Sequence, residues 1–311
     1  MYIREMRTGD QLEGFFLLQD AYAKTTFGGK PFLSMVLSDC TGTIDGQIWD
    51  YTGPVTPKDA GAVIRIRGTV SEFKGALQIT VDRMRLADKN DRYNVSDLVP
   101  SAPIDVEAAW QDLQRIIDGI EDSDYRVVCT EMLKQYGGRF QTIPAAKSVH
   151  HSFLHGLLMH TVNMLQAADF LAAMYEAVID RSLLLAGTLL HDMAKCEEFT
   201  TSPLGLVTDY SMKGQLLGHL VMGAHEVASV ASRLQVPEEK SVLLQHLILS
   251  HHGEPEYGAA VQPMCAESEL LSLIDTMDSR MEIYRETLDE VPAGEFSKRI
   301  FALERKIYHH N

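Results

Sequence analysis

The stretch LLLAGTLLHDMAK, residues 183–195, ends an apolar run with a histidine and an aspartate side by side. The run has the pattern of a buried helix. Burial of an uncompensated carboxylate costs several kcal/mol, so a buried aspartate is usually paired or bound to a metal ion. The pair His191-Asp192 therefore predicts a metal site inside a helical domain.

Further ionisable side chains occur at long intervals in similar apolar, helical contexts. They are His160, His219, His246, His251, His252 and Asp275. A lone histidine on an apolar helix is more often a hydrogen-bonded core residue than a ligand, so the ordered set carries the interpretation. Helices packed in a bundle can each direct ligands into one interior cavity. A divalent ion held there would activate water for hydrolysis.

Length and composition indicate an ordinary globular protein. The 311 residues suffice for two domains, and 45% of them are hydrophobic against 23% charged. No stretch approaches the roughly 20 apolar residues of a membrane span, and the N-terminus lacks the apolar segment of a secretory signal. The four cysteines form no CxxC pair. We therefore expect a cytoplasmic protein with reduced thiols and no membrane association.

The charge is unevenly distributed. The first 90 residues carry 11 Lys and Arg against 11 Asp and Glu, so the net charge of −15 falls on residues 91–311. Such a balance argues against broad, salt-driven binding to duplex nucleic acid. A polyanion is still compatible with a neutral N-terminal part and a site in which metal ions supply positive charge.

The hydrophobic period divides the chain. Residues 1–90 alternate with period two between glycine-bearing turns, which predicts a small antiparallel barrel or sandwich, with a β-bulge near Asp82. Residues 91–104 are polar, contain two prolines and fit a linker. From Asp105, a predicted N-cap, apolar residues recur at three and four. Residues 105–311 are therefore predicted to be helical, the last helix covering 294–308.

The ordered motifs resemble the HD superfamily of metal-dependent phosphohydrolases over about residues 145–290. Within it, the chain is similar to the YhaM family of 3′–5′ exoribonucleases, in which a small OB-fold domain precedes the HD domain. The stretches that carry the likeness are HHSFLHGLLMHT, LLLAGTLLHDMAK, GQLLGH, HLILSHHGEPEYG and IDTMDSRME, with LSDCTGTIDGQIWD in the N-terminal part. The resemblance implies a two-domain protein: an all-β OB-fold barrel followed by an all-α HD helical bundle.

The resemblance also implies a ligand set. His160, His191, Asp192 and Asp275 would bind a first ion, and Asp192 would bridge to a second one where it is present. His219 with one or both of His251 and His252 would complete the second site. His246 and Asp278 would support a ligand or contact a phosphate. One or two divalent ions are implied; manganese is the first expectation, and iron, cobalt, nickel, zinc and magnesium stay open.

Two cations are candidates for contact with the substrate. Lys195 lies one helical turn after His191-Asp192 and would hold a phosphoryl oxygen, so that Asp192 and Lys195 are the predicted catalytic residues. A solvated lysine at a helix end is the alternative. Arg280 is a weaker candidate for the same task.

These features predict a 3′–5′ exoribonuclease that releases nucleoside 5′-monophosphates from single-stranded RNA, with single-stranded DNA open as a second substrate. OB-folds hold single strands through aromatic stacking and basic side chains. The candidates here are Phe27, Lys30, Trp49, Arg65, Arg67, Phe73, Lys74, Arg83 and Arg85. Core packing for the aromatic residues and solvated strand faces for the arginines are the alternatives.

Two other functions compete with this one. An HD phosphohydrolase of nucleotides or cyclic dinucleotides would not need a strand-binding barrel, and the chain lacks a GYP tripeptide. A non-catalytic single-strand-binding protein would not need the complete ligand set. The chain has no GxxxxGK[ST] phosphate loop, so ATP hydrolysis is not indicated. The sequence leaves the oligomeric state open, a homo-oligomer included.

Overall fold

The computed structural model describes residues 1–26, 28–146, 153–202 and 204–311. It divides the chain into two compact units. One unit comprises Met1–Ser101 with Thr201–Thr208, and the other comprises Ala102–Thr200 with Asp209–Asn311.

The first unit is a closed five-stranded barrel. Its strands are β1 (Gln11–Thr25), β2 (Pro31–Asp39), β3 (Gly42–Trp49), β4 (Val63–Phe73) and β5 (Ala76–Leu86). Their order around the barrel is β1-β2-β3-β5-β4, and β4 pairs with β1 to close it. All pairs are antiparallel except β3 with β5. This small closed barrel has the architecture of an OB-fold.

Side-chain alternation builds the barrel core. Ile64 and Ile66 of β4 are buried, and Arg67 points outward, as the alternation predicted. In the β4–β5 ladder Arg67 pairs with Arg83 but Gly68 pairs with Val81. One extra residue, at position 82, is therefore inserted in β5, which confirms the predicted bulge. The sequence pattern did not delimit β1, the longest strand.

The second unit is mainly helical. Its helices are α1 (Val106–Asp118), α2 (Ser123–Phe140), α3 (Gly156–Met174), α4 (Arg181–Leu190), α5 (Lys195–Glu198), α6 (Met212–Arg233), α7 (Glu238–Ser250) and α8 (Ala266–Glu290). The Asp105 carboxylate accepts the N–H of Ala108, so the predicted N-cap of α1 is confirmed. In the described part of the chain, no helix is long and apolar enough to cross a membrane.

Three segments differ from the sequence-based expectation. A two-stranded sheet, β6 (Phe199–Thr201) with β7 (Val207–Tyr210), lies in the chain between α5 and α6, where only helices were predicted. Leu98 and Val99, in the predicted linker 91–104, are buried. The predicted helix 294–308 is wrong: this segment doubles back on itself through two isolated bridges, Phe296 with Tyr308 and Ile300 with Arg305.

The local reason for the last difference lies at Glu304. This residue adopts a left-handed conformation, with φ of 52°, which ends a single turn of 3-10 helix. The segment then buries Leu303 and Ile307 in a folded-back loop rather than along one helix face. Tertiary packing overrides the helical period here.

Candidate metal centre

Separate helices bring the ordered histidines and aspartates together. His160 lies on α3, His191-Asp192 directly follow α4, and His219 lies on α6. The His251-His252 pair directly follows α7, and Asp275 lies on α8. Burial of the whole leucine-rich helix α4 carries His191-Asp192 into the interior, where they are 0% and 2% exposed.

Asp192 lies at the centre of the cluster. Its Oδ2 accepts the Lys195 ammonium at 2.6 Å and lies 3.3 Å from His191 Nε2. Its Oδ1 lies 3.4 Å from His219 Nε2 and 3.7 Å from His251 Nε2. The two oxygens of one carboxylate therefore face different imidazoles.

A second carboxylate completes the other side. Asp275 Oδ1 lies 3.3 Å from His160 Nε2, which is itself 3.9 Å from Asp192 Oδ2. Three groups of side chains each place one donor atom within 4.8 Å of the others. They are His160, His191 and Asp275; His191, Asp192 and His251; and His219, His251 and His252.

Buried polar atoms of this cluster lack hydrogen-bond partners among the described residues. They are His191 Nε2, Asp192 Oδ1, His219 Nε2 and His252 Nδ1. Burial of such atoms without a partner is costly, and an unpaired set needs an explanation such as an ion. Imidazole nitrogens with carboxylate oxygens also form a donor set that suits divalent transition metals. The residues present therefore fit a metal ion.

Hydrogen bonds on the far side of each ring fix the orientation of four histidines. The Nδ1 of His160 donates to the Asp278 carboxylate at 2.7 Å, and the Nδ1 of His219 donates to the Glu198 carboxylate at 3.1 Å. The Nδ1 of His191 donates to the carbonyl of Thr188 at 2.7 Å, and that of His251 to the carbonyl of Ile248 at 2.8 Å. With Nδ1 held in this way, the Nε2 atom of each ring is directed into the cluster.

Sequence reasoning missed Glu198 and the two carbonyl acceptors. Thr188 and Ile248 each lie three residues before the histidine that they hold, at the end of a helix. Backbone acceptors leave no trace in residue identity, so no sequence signal could have named them. Glu198 lies in KCEE beside an exposed glutamate, Glu197, and only the fold distinguishes the two.

The electrostatics of the cluster favour charged carboxylates. Burial alone would raise the pKa of Asp192, but Lys195 and His191 outweigh it and hold this pKa well below its usual range. Burial likewise opposes the charged form of His160, yet the carboxylates of Asp275 and Asp278 raise its pKa to about 10. Burial lowers the pKa of His251 well below its usual value, so that its imidazole is neutral.

The cluster opens into a cleft of about 350 Å³. Its walls include Lys195, Arg280, Tyr257 and Leu303. The Lys195 side chain is 16% exposed, and Arg280 is exposed. Burial would lower the pKa of Lys195, but Asp192 outweighs it and raises the pKa, so the ammonium is charged at neutral pH. Two cations therefore border the space beside the carboxylates.

The structure places His246 elsewhere. Its Nε2 accepts the N–H of Met264 at 2.9 Å, just before α8 begins, and burial lowers its pKa. His246 belongs to none of the three ligand groups found among the described residues. Asp278, by contrast, joins the site through His160.

On the barrel, aromatic and basic side chains are exposed at two places. Trp49 is 49% exposed and stacks on Phe32 with a centroid distance of 4.7 Å. Phe73, 57% exposed, carries the Lys74 ammonium over its ring at 5.4 Å, at the turn between β4 and β5. Lys30 pairs with Asp50 at 2.9 Å. Phe27 lies outside the described residues.

The four arginines of β4 and β5 differ in their partners. Arg65 pairs with Glu13 at 2.8 Å, and Arg85 makes two hydrogen bonds to Asp91, at 2.6 and 2.7 Å. Arg67 and Arg83 face each other in the ladder and form no ion pair with any residue that the structure describes. Of these four guanidinium groups, Arg67 and Arg83 are therefore the two whose charge no described carboxylate neutralises.

Comparisons with known proteins cover nearly the whole chain. Residues 157–280 match the HD domain family. The barrel is similar to a domain of replication protein A from Methanococcus maripaludis, at 25% identity over 29% of this chain and 96% of that one, with a TM-score of 0.25. The chain is 34% identical over 306 residues to the 3′-5′ exoribonuclease YhaM of Oceanobacillus iheyensis, covering 97% of this chain and 94% of the relative. It is 33% identical to that of a Geobacillus species over 97% of this chain and 92% of the relative. The chain therefore belongs to the YhaM family of 3′–5′ exoribonucleases.

Proposed function

We propose that this chain is a metal-dependent exoribonuclease that hydrolyses single-stranded RNA from its 3′ end and releases nucleoside 5′-monophosphates. The observation that carries the proposal is the buried Asp192 carboxylate, which has three imidazole Nε2 atoms at 3.3–3.7 Å. Those of His191 and His219 have no hydrogen-bond partner among the described residues. The relatives that span the chain bear the same activity in their names.

The ligand roles follow from which side chains converge. His160, His191 and Asp275, with Asp192, would hold a first ion, and His219, His251 and His252 a second one beside the other oxygen of Asp192. When bound, a divalent ion would lower the pKa of a water molecule so that hydroxide is available near neutral pH, and its positive charge would stabilise the phosphoryl oxygens. Manganese suits this nitrogen and oxygen donor set, as do iron, cobalt, nickel and zinc.

The chain's own residues position the scissile phosphate. Lys195 is held by Asp192 and still reaches the cleft, so its ammonium can bind a non-bridging oxygen. Arg280, which lines the same cleft, can contact the same or the next phosphate. Asp278 accepts a hydrogen bond from His160 Nδ1, which keeps that imidazole in place and leaves its Nε2 for the ion.

The barrel would hold the strand upstream of the cleaved bond. Trp49 and Phe73 are exposed enough to stack on bases, with Lys74 and Lys30 near the backbone. Arg67 and Arg83 add uncompensated positive charge, whereas Arg65 and Arg85 contribute less because carboxylates neutralise them.

A comparison of linear and circular RNA of one sequence tests the proposed reaction. The linear strand should be degraded with manganese, chromatography should show nucleoside 5′-monophosphates, and the circle should stay intact. Cleavage of the circle, or release of 3′-monophosphates, would contradict the proposal.

Metal binding should release a proton from His160. Because the pKa of this group is raised to about 10 in the metal-free protein, it is protonated at neutral pH, and an ion must displace the Nε2 proton. Below that pKa the proton competes, so metal affinity should rise with pH. Calorimetry at pH 7.5 in buffers of different ionisation enthalpy should show roughly one proton released per chain. Binding heats that do not vary with the buffer would contradict this protonation state.

Arg67 and Arg83 should dominate the salt dependence of RNA binding. Each alanine substitution should reduce the slope of log Kd against log salt by about 0.7, the contribution of one phosphate contact on a single strand. Arg65→Ala is the matched control, because Arg65 lies on the same strand face but pairs with Glu13. Fluorescence anisotropy at several salt concentrations measures the slopes. An equal reduction of the slope in the Arg67, Arg83 and Arg65 variants would contradict the claim that Arg67 and Arg83 make the main phosphate contacts.

A further inference from the structure

Helix α6 is interrupted immediately before one of the cluster's histidines. Gly218 has φ of 71° and ψ of 162°, outside the helical region, so that the helix starts anew at His219. In an unbroken helix the N–H of His219 would donate to the carbonyl of residue 215. Here it donates to Glu198 Oε1 at 3.0 Å. The carboxylate therefore caps the restarted helix.

The same oxygen also holds the imidazole ring. Glu198 Oε1 accepts His219 Nδ1 at 3.1 Å, while His219 Nε2 faces Asp192 Oδ1 at 3.4 Å. One carboxylate oxygen thus fixes both the backbone and the side chain of His219. Rotation of the ring would break the hydrogen bond from His219 Nδ1 to Glu198. Continuation of the helix through Gly218 would break the hydrogen bond from the His219 N–H to Glu198.

Glu198 is itself fixed by the surrounding backbone. It is 5% exposed, and its carbonyl accepts the N–H of Ser211, the N-cap of α6. At Gly214 a Cβ atom would lie 2.3 Å from that carbonyl oxygen, so only glycine allows this approach. At Gly218 a Cβ would lie 3.8 Å from Glu198 Oε1. Position 218 thus requires glycine for its backbone angle and not for space.

Burial of a carboxylate is unfavourable unless its partners compensate. The two hydrogen bonds to the Glu198 side chain that the described residues make both come from His219. Because both of these hydrogen bonds come from His219, the buried Glu198 carboxylate indicates a role in positioning His219.

We infer that Glu198, with the break at Gly218, is the positioning residue that presents His219 Nε2 to the metal ion of the site formed with His251 and His252. The inference rests on the proposed function, in which His219 is a metal ligand. Glu198 contacts no substrate and binds no ion; it acts through His219. Side chains that orient metal-binding histidines typically change metal affinity by 10–100-fold when they are removed.

Titration of manganese into the metal-free protein tests the inference. Glu198→Ala should weaken the His219-containing site by about 10–100-fold and leave the other site within about threefold of wild type. Glu198→Gln should recover most of the affinity, because its amide oxygen can still accept both hydrogen bonds. Glu197→Ala is the matched control, since the neighbouring Glu197 pairs with Arg139 at 3.6 Å outside the cluster. His219→Ala provides the reference for loss of the ligand.

A readout on the ring itself is independent of activity. In the metal-free protein, ¹⁵N spectra of labelled histidine should show His219 with its proton on Nδ1, and Glu198→Ala should remove this preference. Wild-type metal affinity in Glu198→Ala, with affinity lost in His219→Ala, would overturn the inference and leave the proposed function intact. Wild-type affinity in His219→Ala would instead overturn the ligand assignment, and the inference with it.

Gly218→Ala keeps every side chain of the contact and strains only the backbone. If Glu198→Ala does not fold, Gly218→Ala tests the inference in its place. It should show the same selective loss of manganese affinity at the His219-containing site. Unchanged affinity in Gly218→Ala would overturn the inference.

Discussion

Replacement of Asp192 by alanine should abolish RNA hydrolysis, with a loss of at least about a thousandfold in kcat/KM. An ion contributes several kcal/mol to charge stabilisation in the transition state, and each 1.4 kcal/mol is about tenfold in rate. Asp192 is the carboxylate that has four imidazoles within 3.9 Å and the Lys195 ammonium beside it. Its removal takes a ligand from both proposed ions and leaves Lys195 without its partner.

The measurement is release of mononucleotides together with bound metal per chain. Asp192→Asn is the matched variant, because the amide keeps the shape of the side chain but lacks its charge. It should lose activity and metal to a similar extent. Binding of RNA to the barrel should persist in both variants, since the barrel residues are unchanged. Activity above about a tenth of wild type in Asp192→Ala would contradict the central role of this carboxylate.

Replacement of Lys195 by methionine should lower kcat by about 100–1,000-fold, the range measured when one preorganised donor to a developing charge is removed. Methionine retains the apolar stem and deletes the ammonium, which is charged at neutral pH because Asp192 raises its pKa. KM should change much less, because the barrel supplies most of the grip on the strand. Lys195→Arg should retain part of the rate.

The control for Lys195 is Lys213→Met, at an exposed lysine on α6 that lines a separate apolar groove. Its kinetics should match wild type. A normal kcat at saturating manganese in Lys195→Met, with weaker metal binding, would show that Lys195 only supports Asp192 and does not contact the substrate.

The histidine–aspartate cluster was largely predictable because its members lie on, or directly after, buried apolar helices. A helix whose leucines are buried up to Leu190 must carry the adjoining His191 and Asp192 inside, and the fold then brings His160, His219 and Asp275 to the same place. The barrel was predictable for a related reason. Alternation of Ile64 and Ile66 with arginines leaves one inward face, and the shift of phase at Asp82 appears as a bulge in the β4–β5 ladder.

What escaped prediction depends on partners distant in sequence. Nothing in KCEE distinguishes buried Glu198 from exposed Glu197, because the break at Gly218 that selects it lies 20 residues later. The four arginines of the barrel look alike in sequence, yet carboxylates at positions 13 and 91 neutralise two of them. The segment 294–308 has a helical period, and its burial in a folded-back loop is decided by tertiary contacts.

The most direct test is a denaturing-gel time course on 5′-labelled single-stranded RNA, with manganese and with EDTA, for wild type and Asp192→Ala. We expect a ladder that shortens from the 3′ end with wild type and manganese, and intact RNA with EDTA or with the variant. Intact RNA with wild type under every divalent metal tried, although the RNA is still bound, would contradict the assignment of the buried histidine–aspartate cluster as the hydrolytic centre.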